Sequence, residues 1–421
     1  MDSQPIRPVG IVAALIVSAP LLLGTACKQT NKPPSVPVVT CPSSGVVGAT
    51  LTLKATSSDP EDDSVAFGLD WSDSSGPSWT GFVASGETIA ANRVFNDTGS
   101  YSVRVKAKDT KGDESGWSTP CYVTMGTYPD WVVTTIPVGN DPHDMACLPN
   151  GEYLYVTRET DDTVSVIDVS SSTVVARITV TGSPRHVAAL PNSQFVYVSC
   201  YHGNDVAVIR TSDNTVVARV AVGEGPNGLA ALPDGQYVYV ASRLSTDVSV
   251  IRTSDNTVVR TIQAGLDPRG VSSSPDGRFV YTANAGGGSI SVIRTSDDSV
   301  TAAFAVGGDP HRVVPLPSGA LLYVTNASSN VITVVGASDG LIEANIDGGA
   351  SPTGLAPLPG GGYVYVANRD GDNVSIIRTS DNVVVRTVPT GDAPWNVGVA
   401  PAGDRVFITN RHDGTVSVIG K

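Results

Sequence analysis

Residues 184–225 read PRHVAALPNSQFVYVSCYHGNDVAVIRTSDNTVVARVAVGEG, and this pattern recurs along the chain every 42 residues. In each copy an aromatic residue follows the first proline by 13 positions, and an apolar segment such as Val-Ser-Val-Ile begins nine positions later. The three columns are Pro142, Pro184, Pro226, Pro268, Pro310, Pro352 and Pro394; Tyr155, Tyr197, Tyr239, Tyr281, Tyr323, Tyr365 and Phe407; and Val164, Val206, Val248, Ile290, Ile332, Val374 and Val416. Seven copies without an insertion or deletion are a seven-fold repeat.

Each copy contains four short apolar runs separated by turn sequences. In the copy quoted above, the runs occupy residues 186–190, 195–200, 206–210 and 216–222. Pro-x-Gly turns such as 233–235 separate the first two runs, and Ser-Asp-Asn turns such as 212–214 separate the last two. Four antiparallel strands in each of seven copies predict an all-β fold, a seven-bladed β-propeller with four-stranded blades of 42 residues.

The two ends of the repeat region predict how the ring closes. The seventh copy ends at the third run, 416–419, with only Gly420 and Lys421 after it. Residues 131–136, Trp-Val-Val-Thr-Thr-Ile, precede the first copy and stand 42 residues before its fourth run. We therefore expect this N-terminal strand to complete the seventh blade, which removes the exposed sheet edges. The propeller would then span residues 128–421.

The second run of several copies carries a recognisable motif. Residues 323–326 are Tyr-Val-Thr-Asn, and residues 281–284 and 365–368 are close variants. This motif, in this register, resembles the YVTN family of β-propeller repeats found in bacterial and archaeal surface and periplasmic proteins. The family is also similar to seven-bladed lactonases and to the haem d1 propeller of nitrite reductases. The Trp-Asp and Gly-His marks of WD40 repeats are absent.

Residues 1–27 have the features of an export signal. Arg7 precedes an apolar run over residues 9–24, which is short for a membrane-spanning helix. The run leads into Gly24-Thr25-Ala26-Cys27, which resembles the lipobox of bacterial lipoproteins, although the usual leucine lies one place earlier than expected. The resemblance implies lipidation at Cys27, a tether over 28–37 and a location outside the cytoplasm, at the membrane, in the periplasm or at the cell surface. An ordinary secretory signal is the alternative.

Residues 38–127 alternate short apolar runs with turns, as in an antiparallel sandwich. The segments 59–63 (Asp-Pro-Glu-Asp-Asp), 70–73 (Asp-Trp-Ser-Asp) and 99–105 resemble PKD-like domains, which are immunoglobulin-type sandwiches. In such sandwiches the first and last strands lie side by side, which implies a disulfide between Cys41 and Cys121; free thiols are the alternative. Such domains act as spacers or adhesive modules.

Histidines and arginines concentrate at one end of the predicted blades. All five histidines fall in or beside the loops that join consecutive blades or that join the second and third strands of a blade. These loops lie on one face of a propeller, where repetition with loop variation builds one asymmetric site at the central mouth. The candidate ligand-binding residues are His143, Arg185, His186, His202, Arg269, His311, Arg312, Trp395, Arg411 and His412.

These residue types favour an anionic or polar ligand, because guanidinium groups pair with carboxylate, phosphate or sulfate. The alternative is that they cap carbonyl groups and pair with loop acids such as Asp141, Asp144 and Asp309. No cofactor is expected, since His-x-x-x-His and Cys-x-x-Cys spacings are absent; a metal or haem at the histidine-bearing face is the less favoured alternative. Cys147 and Cys200 are expected to be buried free thiols.

Composition and charge limit the possible functions. Only 16% of residues are charged, and the formal net charge is −13, which argues against nucleic acid as a partner and leaves membrane contact to the lipid anchor. Nucleophile and nucleotide motifs are absent. We expect a monomeric binding protein for a small anionic ligand or a cell-envelope partner. The alternatives are a lactonase- or lyase-type propeller enzyme with histidine acid–base groups, and a purely adhesive surface protein.

Overall fold

The computed structural model describes residues 31–42, 44–46, 50–72, 77–95, 99–126 and 131–420. Within these ranges the chain forms 36 β-strands and two short 3-10 helices. No helix in this part of the chain is long and apolar enough to cross a membrane. The expected signal over 1–27, including Cys27, lies outside the described residues.

The N-terminal strands form two sheets around one core. Their bounds are β1 Val38–Thr40, β2 Ser44–Val46, β3 Thr50–Thr56, β4 Val65–Asp70, β5 Ser78–Trp79, β6 Thr88–Val94, β7 Gly99–Asp109 and β8 Cys121–Gly126. One sheet has the order β1-β3-β6, and the other has the order β2-β8-β7-β4-β5. Leu53 of β3, Phe67 of β4 and Val105 of β7 are fully buried in the shared core. A disulfide joins Cys41 to Cys121.

The remaining strands form seven sheets of four strands each. Blades 1 to 4 contain β10 Pro142–Cys147, β11 Tyr153–Arg158, β12 Thr163–Asp168 and β13 Thr173–Thr179; β14 Pro184–Ala189, β15 Phe195–Cys200, β16 Asp205–Arg210 and β17 Thr215–Ala221; β18 Pro226–Ala231, β19 Tyr237–Ser242, β20 Asp247–Arg252 and β21 Thr257–Gln263; and β22 Pro268–Ser273, β23 Phe279–Asn284, β24 Ser289–Arg294 and β25 Ser299–Ala305. A 3-10 helix, Ala285–Gly287, joins β23 to β24.

Blades 5 to 7 repeat the arrangement, and the seventh takes its outer strand from the N-terminal side. They contain β26 Pro310–Pro315, β27 Leu321–Asn326, β28 Val331–Gly336 and β29 Ile342–Asp347; β30 Pro352–Pro357, β31 Tyr363–Asn368, β32 Asn373–Arg378 and β33 Val383–Pro389; and β34 Pro394–Val399, β35 Val406–Asn410, β36 Thr415–Gly420 and β9 Trp131–Pro137. The second 3-10 helix, Arg369–Gly371, joins β31 to β32. Strand β9 pairs antiparallel with β36, so the predicted seven-bladed ring and its closure are confirmed.

Apolar side chains between neighbouring blades form the propeller core. The second and third strands of each blade are buried on both faces, whereas the fourth, outer strand is exposed or half-buried with at most one buried residue. Tyr155 and Val164 of blade 1, for example, share a cluster with Val187 and Val198 of blade 2. Each blade therefore depends on its neighbours to cover its apolar faces.

The asparagine of the Tyr-Val-Thr-Asn motif has a structural role inside the blade. Nδ2 of Asn326 donates to Oγ1 of Thr333 at 2.9 Å, from the second strand to the third. Asn284, Asn368 and Asn410 make the equivalent bond to a serine at the same distance. All four asparagines are buried. The motif is therefore a mark of the fold and contributes no group to a site.

The repeated tyrosine hydrogen-bonds to the next blade. In the following blade, the acceptor is the side chain of the last residue in the turn between the third and fourth strands. The hydroxyl donates to it at 2.6–2.7 Å from Tyr155, Tyr197 and Tyr239, and Tyr323 makes the same bond. The acceptors adopt a positive φ of 55–58°, which Asn and Asp tolerate better than other side-chain-bearing residues. They are Asn214, Asn256, Asp298 and Asn382. Gly340 occupies the corresponding position of the blade after Tyr281, and a glycine has no side chain to accept this bond.

We expect Tyr239→Phe to lower the free energy of unfolding by about 1 kcal/mol, because it removes a hydrogen bond to a carboxylate and leaves the packing of the ring unchanged. Tyr281→Phe is the matched control and should change the free energy of unfolding by less than about 0.5 kcal/mol. Urea titration of both variants measures the difference. Equal losses in the two variants would contradict a contribution from the inter-blade bond.

Candidate active site at the channel mouth

A break in strand register positions the candidate site. The first strands of neighbouring blades contact each other around the ring, so they line the central channel. In all seven blades the pairing of the first and second strands shifts register directly after the repeated proline. Such bulges redirect side chains and are common beside functional sites. The residue directly after the proline lines the mouth of the channel in all seven blades.

The channel mouth holds a cavity of about 450 Å³ lined by residues from all seven blades. Seven of the ten predicted ligand-binding residues line it: His143, Arg185, His186, Arg269, His311, Trp395 and Arg411. Arg312 is partly buried beside Asp144 and is outside this lining. His202 and His412 are exposed; His202 packs against Tyr201, and His412 lines a neighbouring cavity.

A buried aspartate links four blades beneath the cavity. Asp144 is only 3% exposed, and its Oδ2 lies 2.9 Å from Nδ1 of His186. Its Oδ1 accepts a hydrogen bond from Asn396 and lies 3.1 Å from a guanidinium nitrogen of Arg312. Burial acts to raise the pKa of Asp144, but Arg312 and His186 outweigh it and lower that pKa to about 2. Asp144 is therefore ionised at any pH near neutrality.

The bond to Asp144 sets the tautomer of His186. Because an ionised carboxylate can only accept, Nδ1 of His186 carries the proton and Nε2 keeps a lone pair. Burial and then Arg312 lower the pKa of His186, while Asp144 opposes them. Nε2 has no hydrogen-bond partner among the described residues, and the side chain lines the cavity. His186 is thus a neutral, oriented base.

Two further histidines stand beside Trp395. The ring centroids of His143 and His311 lie 5.3 and 5.4 Å from that of Trp395, and His143 lies 5.0 Å from His186. Burial is the main cause that lowers the pKa of His143 and of His311 well below the usual value, with neighbouring charged groups adding to it. Both imidazoles are therefore neutral at pH 7.

Several buried polar atoms around the cavity lack a partner in the described part of the chain. They are Nδ1 of His143, Nδ1 of His311, Nε1 of Trp395 and Oδ1 of Asn227. All four residues line the cavity. A buried polar atom without a partner costs about 1–3 kcal/mol, so these atoms mark positions where ligand or water atoms are needed.

The predicted arginines of the cavity are all paired with carboxylates. Arg185 lies 2.8 Å from Glu159, and Arg411 lies 2.5 Å from Asp141 and 3.4 Å from Glu159. Arg269 bonds Asp267 at 2.8 Å and Asp309 at 3.1 Å. The lining contains five arginines and three carboxylates, a smaller positive excess than the arginines alone suggest. The carboxylates hold the guanidinium groups in fixed positions.

Three residues of this site are not among those predicted from the sequence. Asp144 is there only a loop acid that could pair with an arginine, and Glu159 and Asn227 are not among the candidates. The available signal for Asp144 was its place in the variable pair after a repeated proline, the same column that holds His186. Glu159 directly follows a second strand, where the column is polar in most blades, so no local pattern distinguished it.

The described residues contain no group of three or more His, Cys, Asp or Glu side chains placed to hold a metal ion. Cys147 and Cys200 are free, and Cys200 is buried. Burial raises the pKa of each thiol to about 12. Both are therefore protonated at neutral pH, and neither is an activated nucleophile.

Comparison with known proteins agrees with this architecture. Among solved structures, hydrazine synthase of Kuenenia stuttgartiensis is similar to the chain, with 23% identity, a TM-score of 0.62, and coverage of 67% of this chain and 96% of that one. At that identity the likeness shows the fold alone. No curated protein matches. The family model for lactonases, described as a 7-bladed beta-propeller, matches residues 113–217 and 212–344, more than half of the chain. The chain therefore belongs to the lactonase family of seven-bladed β-propellers.

Proposed function

We propose that the channel-mouth cavity binds a small carboxylate-bearing lactone and hydrolyses it to the hydroxy acid. The observation that carries this proposal is the buried Asp144–His186 pair, which presents a neutral imidazole nitrogen to a cavity lined by fixed guanidinium groups. A neutral histidine is an effective general base when its pKa lies near the pH of the reaction. Family membership supports the reaction class.

In the proposed reaction, water attacks the carbonyl carbon of the lactone and His186 Nε2 accepts the proton of that water. The ring C–O bond then breaks, and the proton passes from His186 to the leaving alkoxide oxygen. Asp144 is a positioning residue, because its bond to Nδ1 holds the tautomer and stabilises the imidazolium as it forms. The arginines bind the carboxylate of the substrate. No covalent enzyme intermediate is required.

Hydrolysis of γ-butyrolactone and of its γ-carboxylate, followed in a pH-stat, tests this function. We expect the carboxylate to be the better substrate, and His186→Ala to lower kcat/KM by about 100-fold or more. His202→Ala is the matched control, because His202 is exposed and outside the cavity lining. Since the pKa of His186 is lowered, the active base form should persist as pH falls, and the acid limb of kcat/KM should lie below pH 6.5.

Ligand binding without turnover is the second candidate, favoured by the four buried polar atoms that lack partners. Calorimetry with the same carboxylates separates the two. Two results together would replace the enzyme proposal by a binding function. The protein would bind the carboxylate saturably, with binding lost in Arg269→Met, and it would hydrolyse the lactone no faster than buffer does. Neither binding nor hydrolysis would exclude both.

A further inference from the structure

The two sides of the cavity mouth have opposite chemistry. On the side of blades 6 and 7 a second cavity of about 480 Å³ adjoins the first, and the two share Arg369, Trp395 and Arg411. The rest of its lining contains three aspartates, Asp370, Asp372 and Asp392, together with His412. Aspartates outnumber arginines there by one, whereas arginines outnumber carboxylates in the inner cavity, so an anionic ligand is favoured less in the second cavity.

On the side of blades 3 and 4 the mouth is apolar. Leu244 and Leu266 are 60% and 62% exposed on loops next to the cavity. Leu244 directly follows Arg243, which lines the cavity. The adjoining loop of blade 4 contains three glycines, residues 286–288, so no side chain projects from the loop at that point. We call Tyr201, Leu244 and Leu266 the leucine rim.

The leucine rim lies beside the cavity lining, and its neighbours hold it in place. Arg243 and Arg269 both bond Asp267, the neighbour of Leu266, at 2.5 and 2.8 Å. A Cβ atom added to Gly225 would lie 2.9 Å from the side chain of Leu244 and 3.1 Å from that of Tyr201. These two side chains therefore flank the same glycine.

The other end of the rim also contacts the cavity lining. The guanidinium of Arg185 stacks 3.5 Å above the ring of Tyr201, and Arg185 lines the cavity. Each end of the rim is therefore next to an arginine of the lining, so a tail that leaves the cavity between these arginines meets the leucines.

We propose that the leucine rim is a subsite for an alkyl tail on the lactone, so that the preferred substrate is amphipathic. This inference rests on the proposed function and names its substrate class. A cavity of about 450 Å³ takes a small polar head group, and a longer ligand has to leave it. The second cavity has one more aspartate than arginine and therefore offers an anionic head group less than the inner cavity does, whereas the leucines gain burial from a tail.

A series of γ-butyrolactone γ-carboxylates that also carry a γ-alkyl group of one to six carbons tests the subsite. We expect kcat/KM to rise about twofold per methylene, since a tail on an open rim gains part of the roughly fourfold available from full burial. Leu244→Ser with Leu266→Ser should flatten this dependence while the rate on the γ-methyl member changes less than about twofold. Leu341→Ser is the matched control, because Leu341 is 63% exposed on the turn between β28 and β29.

Calorimetry with 4-hydroxyvalerate and 4-hydroxydecanoate gives a readout that does not depend on turnover. Tighter binding of the longer acid, lost in the double leucine variant, supports the subsite even if no lactone is hydrolysed, and only the proposed function then fails. Turnover that is independent of tail length, with equal affinity for both acids, overturns the subsite and leaves the proposed function standing. A tail dependence that survives in the double variant also overturns it.

Discussion

Deleting residues 131–137 should lower the free energy of unfolding of the propeller by about 5 kcal/mol or more, far beyond the effect of removing an ordinary terminal segment. Strand β9 pairs with β36 from Thr415↔Pro137 to Gly420↔Trp131, and each lost hydrogen bond costs about 1 kcal/mol. Ile136 is 2% exposed in the cluster that joins blades 7 and 1, so its loss adds about 2–5 kcal/mol. The deletion also leaves β36 as an open edge.

A pair of point variants on the same strand tests this closure without shortening the chain. Ile136→Asp places a charge in the core between the first and last blades and should lower the midpoint of urea unfolding strongly. Val133→Asp is its control, because Val133 is 46% exposed. If the deletion and Ile136→Asp both left the unfolding midpoint unchanged, strand β9 would not close the ring in solution.

Acidification from pH 7.5 to 5.5 should remove up to about 4 kcal/mol of stability through three buried histidines. The pKa values of His143, His186 and His311 are all lowered in the folded chain, chiefly by burial. Below pH 6.5 the unfolded chain therefore binds more protons than the folded chain, and stability falls as pH falls. Each histidine contributes about 1.4 kcal/mol over this interval if it stays neutral when folded.

Urea titrations at the two pH values measure this loss. His311→Gln should reduce the difference between pH 7.5 and 5.5 by about 1.4 kcal/mol, even though the substitution itself destabilises the protein. His202→Gln should leave the difference unchanged, because the side chain is exposed. A difference that is the same in wild type and His311→Gln would show that His311 titrates alike in the folded and unfolded chains.

Most of the fold could be predicted from sequence because its determinants are local. Short apolar runs, Pro-x-Gly turns and the 42-residue interval define each strand and hairpin within one copy, and seven copies define the number of blades. Closure could also be predicted, since residues 131–136 match the fourth run missing from the last copy. The same local patterns indicated which loops share one face, and seven of the ten candidate residues line the cavity there.

The chemistry of the site depends on the tertiary structure. Asp144 and Asn396 are 252 positions apart and meet only because the ring closes, and Arg312 reaches the same carboxylate from blade 5. The register shift after each proline falls at these residues and alters where their side chains lie in the ring. Sequence alone thus determined a seven-bladed ring with a polar mouth. Only the closed ring decided which carboxylate bonds which histidine. Ion pairing and the burial of these groups away from water depend on distances between blades, and no local sequence pattern encodes those distances.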